Sequence, residues 1–246
     1  MVTAVMMITG LMRKQYASIN DVKIQESERT GAVMEVVSVN VGLPREVIWK
    51  RQRVSTAIFK APVDGSIALR KLNLDGDRQA DLTVHGGPSK AVYAYPLEHY
   101  DYWRTRVPET PDVLGAFGEN LTTRGVLEAD LNIGDQVRVG TALLQVAQPR
   151  MPCYKLQLRF DRDDMTKLFA LSGRSGFYFS VIKEGEVRAG DSIEFVEHLE
   201  GGVSVAEVYG LYFDRTIDPE LLRRALQTPT LTDESRSMLL RRLANQ

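Results

Sequence analysis

Cysteine is nearly absent from this chain: Cys153 is the 1 thiol in 246 residues. A single cysteine makes no internal disulfide and no multi-cysteine zinc or iron–sulfur site, and it fits a reducing compartment such as the cytoplasm. Histidine is scarce too, with 3 residues and no HExxH spacing, which removes the common zinc hydrolase signature. No run of 18 or more apolar residues occurs, so no membrane-spanning helix is expected. Charge of one sign is lacking as well: 31 basic and 32 acidic residues leave a net −1, and nothing advertises nucleic acid or an anionic membrane. GxGxxG, the P-loop and the GxSxG nucleophile elbow are all missing. What remains, with 43% hydrophobic residues, is a chain able to bury a sizeable core.

Organisation changes twice along the chain. Val2 to Met12 is apolar, but Arg13 and Lys14 follow it instead of preceding it, the reverse of a signal peptide. Residues 13–31 are polar and aperiodic, so residues 1–33 are expected to be a disordered extension or a mis-assigned start, with a cleaved targeting segment as the alternative. From 34 to 200 short β-branched runs recur, at Val36–Val41, Val54–Ile58, Val137–Val139, Leu143–Val146, Tyr178–Ile182 and Ser192–Val196, punctuated by Gly, Asp, Asn and Pro. Two Gly-Asp turns, Gly134-Asp135 and Gly190-Asp191, each feed an alternating strand and point to an antiparallel barrel. Helical spacing interrupts this at Leu97–Arg104 and Asp163–Leu171. Beyond Gly201-Gly202, Val205–Tyr212, Pro219–Leu226 and Glu234–Leu243 read as three amphipathic helices, with capping residues at Asp218 and Thr232. So short a 203–246 segment cannot bury a core alone and must dock on the β part or on a second subunit.

Three segments and the cysteine could carry chemistry. Residues 76–90 gather Arg78, His85, Gly86, Gly87 and Lys90: backbone amides and cations for an anion, and an imidazole for a proton. A polar β-turn explains the same residues. Gly118-Glu119-Asn120 offers an amide that both donates and accepts, or a turn with side chain-to-backbone bonds. Gly173-Arg174-Ser175-Gly176 reads as an anion nest with an arginine clamp, or as a hairpin loop. Cys153 lies in Gln148-Pro149-Arg150-Met151-Pro152-Cys153-Tyr154-Lys155, where Arg150 and Lys155 would favour a thiolate. Composition alone favours an inert buried cysteine. His99 and His198 lack such company and read as structural.

The ordered set Gly76–Gly87, Lys90–Tyr95, Phe117–Leu121 and Gln148–Lys155, ahead of three helices, resembles the MOSC family, and most closely its YiiM-type branch. The resemblance covers about residues 35–245. It implies a mainly β fold: a MOSC-type closed β-barrel with a few peripheral helices over 34–200, and a small three-helix domain over 203–246. It implies a molybdenum cofactor with Cys153 as the protein's metal ligand. It also implies reduction of N-hydroxylated bases such as 6-N-hydroxylaminopurine, a detoxification. Carried onto this chain, His85 becomes a proton relay or a contact to the metal's oxo ligand. Arg78, Lys90, Arg150 and Arg174, with the Gly86 and Gly87 amides, hold the cofactor's phosphate and metal centre, and Asn120 reads the pterin. No flavin motif is present, so a separate flavoprotein-type reductase is the expected electron donor. The rival reading is a sulfur carrier or cofactor-handling protein with a persulfide on Cys153; no pyridoxal phosphate domain accompanies it. A homodimer through the helical tail is left open.

Overall fold

The computed structural model describes residues 33–81, 86–214 and 216–244. The extension read into residues 1–33 and His85 therefore lie outside the described residues, apart from Val33.

Valine-rich alternation does build strands. Eight of them, β1 (Glu35–Val41), β4 (Ala61–Pro62), β6 (Val92–Pro96), β7 (Leu121–Arg124), β8 (Gln136–Val139), β9 (Ala142–Pro149), β10 (Phe177–Lys183) and β12 (Ile193–Glu197), form one sheet. Its order is β12-β8-β9-β10-β6-β7-β1-β4. Two small two-stranded sheets flank it: the hairpin of β2 (Arg45–Trp49) with β3 (Gln52–Thr56), and the long-range pair of β5 (Ile67–Leu69) with β11 (Gly185–Val187). Six helices complete the described chain: α1 (Glu98–Arg106), α2 (Lys155–Phe160), α3 (Met165–Ser172), α4 (Val205–Phe213), α5 (Pro219–Gln227) and α6 (Asp233–Ala244). None is long and apolar enough to cross a membrane.

The closed antiparallel barrel is corrected on two counts. The sheet is mixed, because β6 and β7 run parallel, joined across α1 as a parallel pair requires. It is also not closed. The start of β12 meets β1 through a single Glu35–Ser192 bridge and a few backbone bonds such as Val36 N to Asp191 O at 2.9 Å. The far edge, β4, has 2 residues and ends at Pro62, which has no N–H with which to extend a ladder. The two Gly-Asp turns do share a device. Asp135 accepts from the Asn132 amide at 2.8 Å, and Asp191 from the Arg188 amide at 2.9 Å.

β6 is buried on both faces and pairs with β10, and that positions the site. Val92, Ala94, Phe177 and Phe179 enter the main core, whereas Tyr93 and Tyr95 point into a second, aromatic cluster with Trp103, Phe117 and Phe169. There Tyr95 stacks on Phe117 at 4.4 Å, and Trp103 Nε1 donates to the Tyr95 hydroxyl at 2.6 Å. Gly176, just before β10, sits at φ +64° where an added Cβ would lie 2.5 Å from Ala94 O. Gly176→Ala is therefore expected to cost at least about 2 kcal/mol of stability in urea unfolding, from the left-handed backbone plus the clash.

The C-terminal helices start where capping chemistry allows. Asp218 caps α5 by accepting from the Glu220 and Leu221 amides, and Thr232 accepts from the Ser235 amide. The α4 start carries a full capping box between Ser204 and Glu207 that the sequence reading did not single out. Val205, Val208, Leu222 and Leu239 from these helices belong to the same hydrophobic cluster as the sheet. They dock in cis, on the sheet of their own chain. Removing residues 203–246 strips that cover from the core, so the truncated chain is expected to be insoluble or to melt without a cooperative transition. A sharp, cooperative melt of soluble 1–202 would sink this expectation.

Candidate functional site

β6, β9 and β10 lie side by side in the middle of the sheet, with Tyr178 opposite both Tyr93 and Gln148. Just past the end of β9 the chain runs Arg150-Met151-Pro152-Cys153 and turns into α2, and the turn holds Cys153 half-buried with its carbonyl accepting from the Leu156 amide at 2.9 Å. A pocket open to solvent lies over these strand ends. Its lining brings together Arg78, Gly86, Lys90, Asn120, Arg150 and Cys153, which the sequence placed in three separate motifs. It adds Lys60, Tyr93, Lys155 and Tyr178.

Charge in the pocket is one-sided. The lining contains Lys60, Arg78, Lys90, Arg150 and Lys155 against the single carboxylate of Asp77. Asp77 is fully engaged: it accepts from the Gly42 amide at 2.8 Å, from the Asn120 side chain at 2.9 Å and from Lys60. Burial pulls the Lys60 ammonium below its usual range, and Asp77 opposes that pull. Arg150 is 6% exposed; it donates to Phe117 O at 2.9 Å and to the Tyr93 hydroxyl at 3.2 Å and stacks on the Tyr93 ring at 4.7 Å. Burial works against this cation, and the neighbouring Tyr93, Tyr178 and Cys153 more than offset it. Its bonds leave the rest of the guanidinium fork for the pocket. Lys90 pairs with Glu234 of α6 at 2.7 Å. Arg78 and Lys155 make no side-chain hydrogen bond or ion pair among the described residues, and Lys155 is only 8% exposed. An anion is what this arrangement can hold.

Other residues sit differently from the sequence expectation. Asn120 lines the pocket, but its two amide protons go to Asn40 O and Asp77 and its oxygen accepts the Tyr93 amide at 3.2 Å. It braces Asp77 and has no donor left with which to read a pterin. Arg174 is not in the lining: its guanidinium lies 3.8 Å over Tyr102 and donates to Ser172 O. The Gly173–Gly176 segment is no nest either, since the Gly176 amide is given to Glu128 at 2.6 Å. Gly87 flanks the pocket and opens the Pro88–Lys90 turn. Glu119 accepts from the Gly115, Phe117 and Thr122 groups and from Tyr100, and burial raises its carboxyl above the usual range. His99 pairs with Glu128 at 2.8 Å and His198 with Asp135 at 2.9 Å, both away from the pocket. Of the additions, Lys155 and Tyr93 stood inside recognisable motifs, while Lys60 follows an apolar pair with no local signal.

Comparison with known proteins fits this architecture. The MOSC domain family matches residues 81–194, and the family described as YiiM-like, 3-alpha helix domain matches residues 203–246. Protein YiiM of Escherichia coli is 41% identical over 194 residues, which are 78% of this chain and 86% of that one. The crystal structure of YiiM from Geobacillus stearothermophilus superposes with a TM-score of 0.71 at 35% identity, covering 85% of this chain and 99% of that one. A protein of Gibberella moniliformis named Reductase is 35% identical over 183 residues, or 73% of this chain; the match spans 32% of that longer protein.

Proposed function

The chain belongs to the MOSC family, in its YiiM-type form with the three-helix domain behind, and from that premise we propose a molybdenum-cofactor-dependent reductase that removes oxygen from N-hydroxylated compounds, 6-N-hydroxylaminopurine-type bases among them. One observation carries the proposal: a single half-buried cysteine lines a pocket whose five cations face one already engaged carboxylate. No group of three or more His, Cys, Asp or Glu side chains able to hold a metal ion occurs among the described residues. Cys153 by itself is one ligand, so a metal here must bring others with it, as a dithiolene-bound metal does. The residues present fit such a group. The thiolate of Cys153 would hold the metal, and the heads of Arg78 and Lys155, which have no side-chain partner among the described residues, would take the phosphate and the remaining negative charge. Arg150 fixes the strand end beside Cys153. The group, when bound, supplies two-electron redox chemistry that no side chain of this protein offers.

The net reaction is R–NH–OH with two electrons and two protons giving R–NH2 and water. The relative named Reductase supports an oxidoreductase reading, and the two electrons need a donor. In this chain that role falls to a separate flavoprotein-type reductase, in a reducing, cytoplasmic compartment that keeps the sole thiol available. The test is metal analysis and turnover on protein made in a molybdopterin-competent host. Molybdenum near one per chain and conversion of 6-N-hydroxylaminopurine to adenine with a supplied reductant are expected. Sulfane sulfur on Cys153 with no molybdenum would overturn the proposal in favour of a sulfur carrier.

A further inference from the structure

The reduction of an N–OH group needs a proton at the departing oxygen, because hydroxide is a poor leaving group. Among the described residues, most donors lining the pocket are unable to supply it. The Tyr93 hydroxyl donates to Ser175 O at 2.9 Å and receives Arg150. Lys60 is committed to Asp77 and Lys90 to Glu234. Arginine does not give up its proton, and the Asn120 amide protons are engaged and not acidic. Lys155 is a buried cation in a pocket built for an anion, and its charge is the feature that a phosphate or metal centre would use.

Tyr178 is different. It stands on β10 opposite Tyr93, with their rings 5.1 Å apart, and turns away from the core that Phe177 and Phe179 enter. Its side chain lines the pocket, and its hydroxyl makes no hydrogen bond among the described residues. Tyr178 and Cys153 line the same pocket, so the hydroxyl and the thiol serve one site. A tyrosine phenol, with an ordinary pKa of about 10, carries its proton at neutral pH. A departing hydroxide is far more basic than any phenolate, its conjugate acid being water with a pKa of about 15.7, so transfer from the phenol runs downhill.

We propose that Tyr178 is the acid of the reaction, donating a hydrogen bond and then a proton to the oxygen that leaves the substrate's N–OH group. This rests on the reductase reading. The N–O bond breaks, and the electron pair comes from the flavoprotein-type reductase. One proton from solvent goes to nitrogen, and the Tyr178 proton goes to oxygen, which leaves as water. Solvent then reprotonates the phenolate beside Arg150.

Tyr178→Phe in the cofactor-loaded protein removes the hydroxyl and leaves the ring packed on Tyr93. The expected result is a fall in kcat of about 100-fold or more, with molybdenum content unchanged. Calorimetry supplies a second reading: oxidised wild-type protein is expected to bind 6-N-hydroxylaminopurine more tightly than adenine, and Y178F to lose that preference. Wild-type kcat with the preference intact would overturn the assignment. So would a fall in kcat matched by a fall in molybdenum, which makes Tyr178 a support for cofactor retention. Wild-type protein that holds molybdenum but never turns over N-hydroxylated bases sinks the reductase reading itself, and the assignment goes with it.

Discussion

Replacing Cys153 with alanine is expected to reduce bound molybdenum to background and to cut N-hydroxy reduction by more than about 100-fold. Groups one shell outside a metal already cost 10–100-fold when removed, and Cys153 is the protein's only proposed direct ligand. Serine should not rescue it, since a hydroxyl oxygen is a hard donor that stays protonated where a soft thiolate is wanted. The fold should survive. Cys153 is half-buried in a turn whose anchoring bond, Leu156 N to Cys153 O, belongs to the backbone. Elemental analysis beside a circular dichroism melt separates the two effects. A C153A protein that keeps its molybdenum would end the ligand assignment.

The second large effect is on stability and falls on Asp77. Asp77→Ala leaves the Lys60 ammonium, whose side chain is 8% exposed, without its counter-charge, and orphans the Gly42 amide and the Asn120 side chain as well. Breaking a buried pair from one side typically costs about 3–5 kcal/mol, and urea unfolding should show a loss of that size. The double replacement Asp77→Ala, Lys60→Met removes the stranded charge and is expected to recover a substantial part of it. If D77A alone unfolds like the native protein, the pair contributes nothing to the pocket floor.

How much of this the sequence disclosed depends on how local each signal was. The three C-terminal helices were legible because 3.6-residue periodicity and the caps at Asp218 and Thr232 lie within a few residues of one another. β6 was harder: Val92–Pro96 is buried on both faces, so it lacks the two-residue alternation that marks a half-exposed strand. α2, with 6 residues, is too short to display a period at all. The parallel pairing of β6 with β7, and the open edge at β4, are choices among distant partners that no window along the chain contains. Within the site, Cys153, Arg150, Arg78 and Lys90 stood in readable motifs. Lys60 and Tyr178 reach the pocket only through strand pairing and chain reversal. Arg174 misled because an arginine between two glycines looks the same whether it clamps an anion or stacks on Tyr102. Asn120 misled because an amide's chemistry says nothing of whether its protons are already taken.

The shared core of sheet and helices also sets an order in time. A ribosome delivers β1 first and α6 last, yet Leu239, at 0% exposure, fills the same cluster as Val36. The β part therefore waits, with apolar surface uncovered, until nearly the whole chain has been synthesised. Contacts of such long sequence separation form late and leave a growing chain open to aggregation. In this chain the first described strand and a helix about 200 residues later contribute to one and the same core.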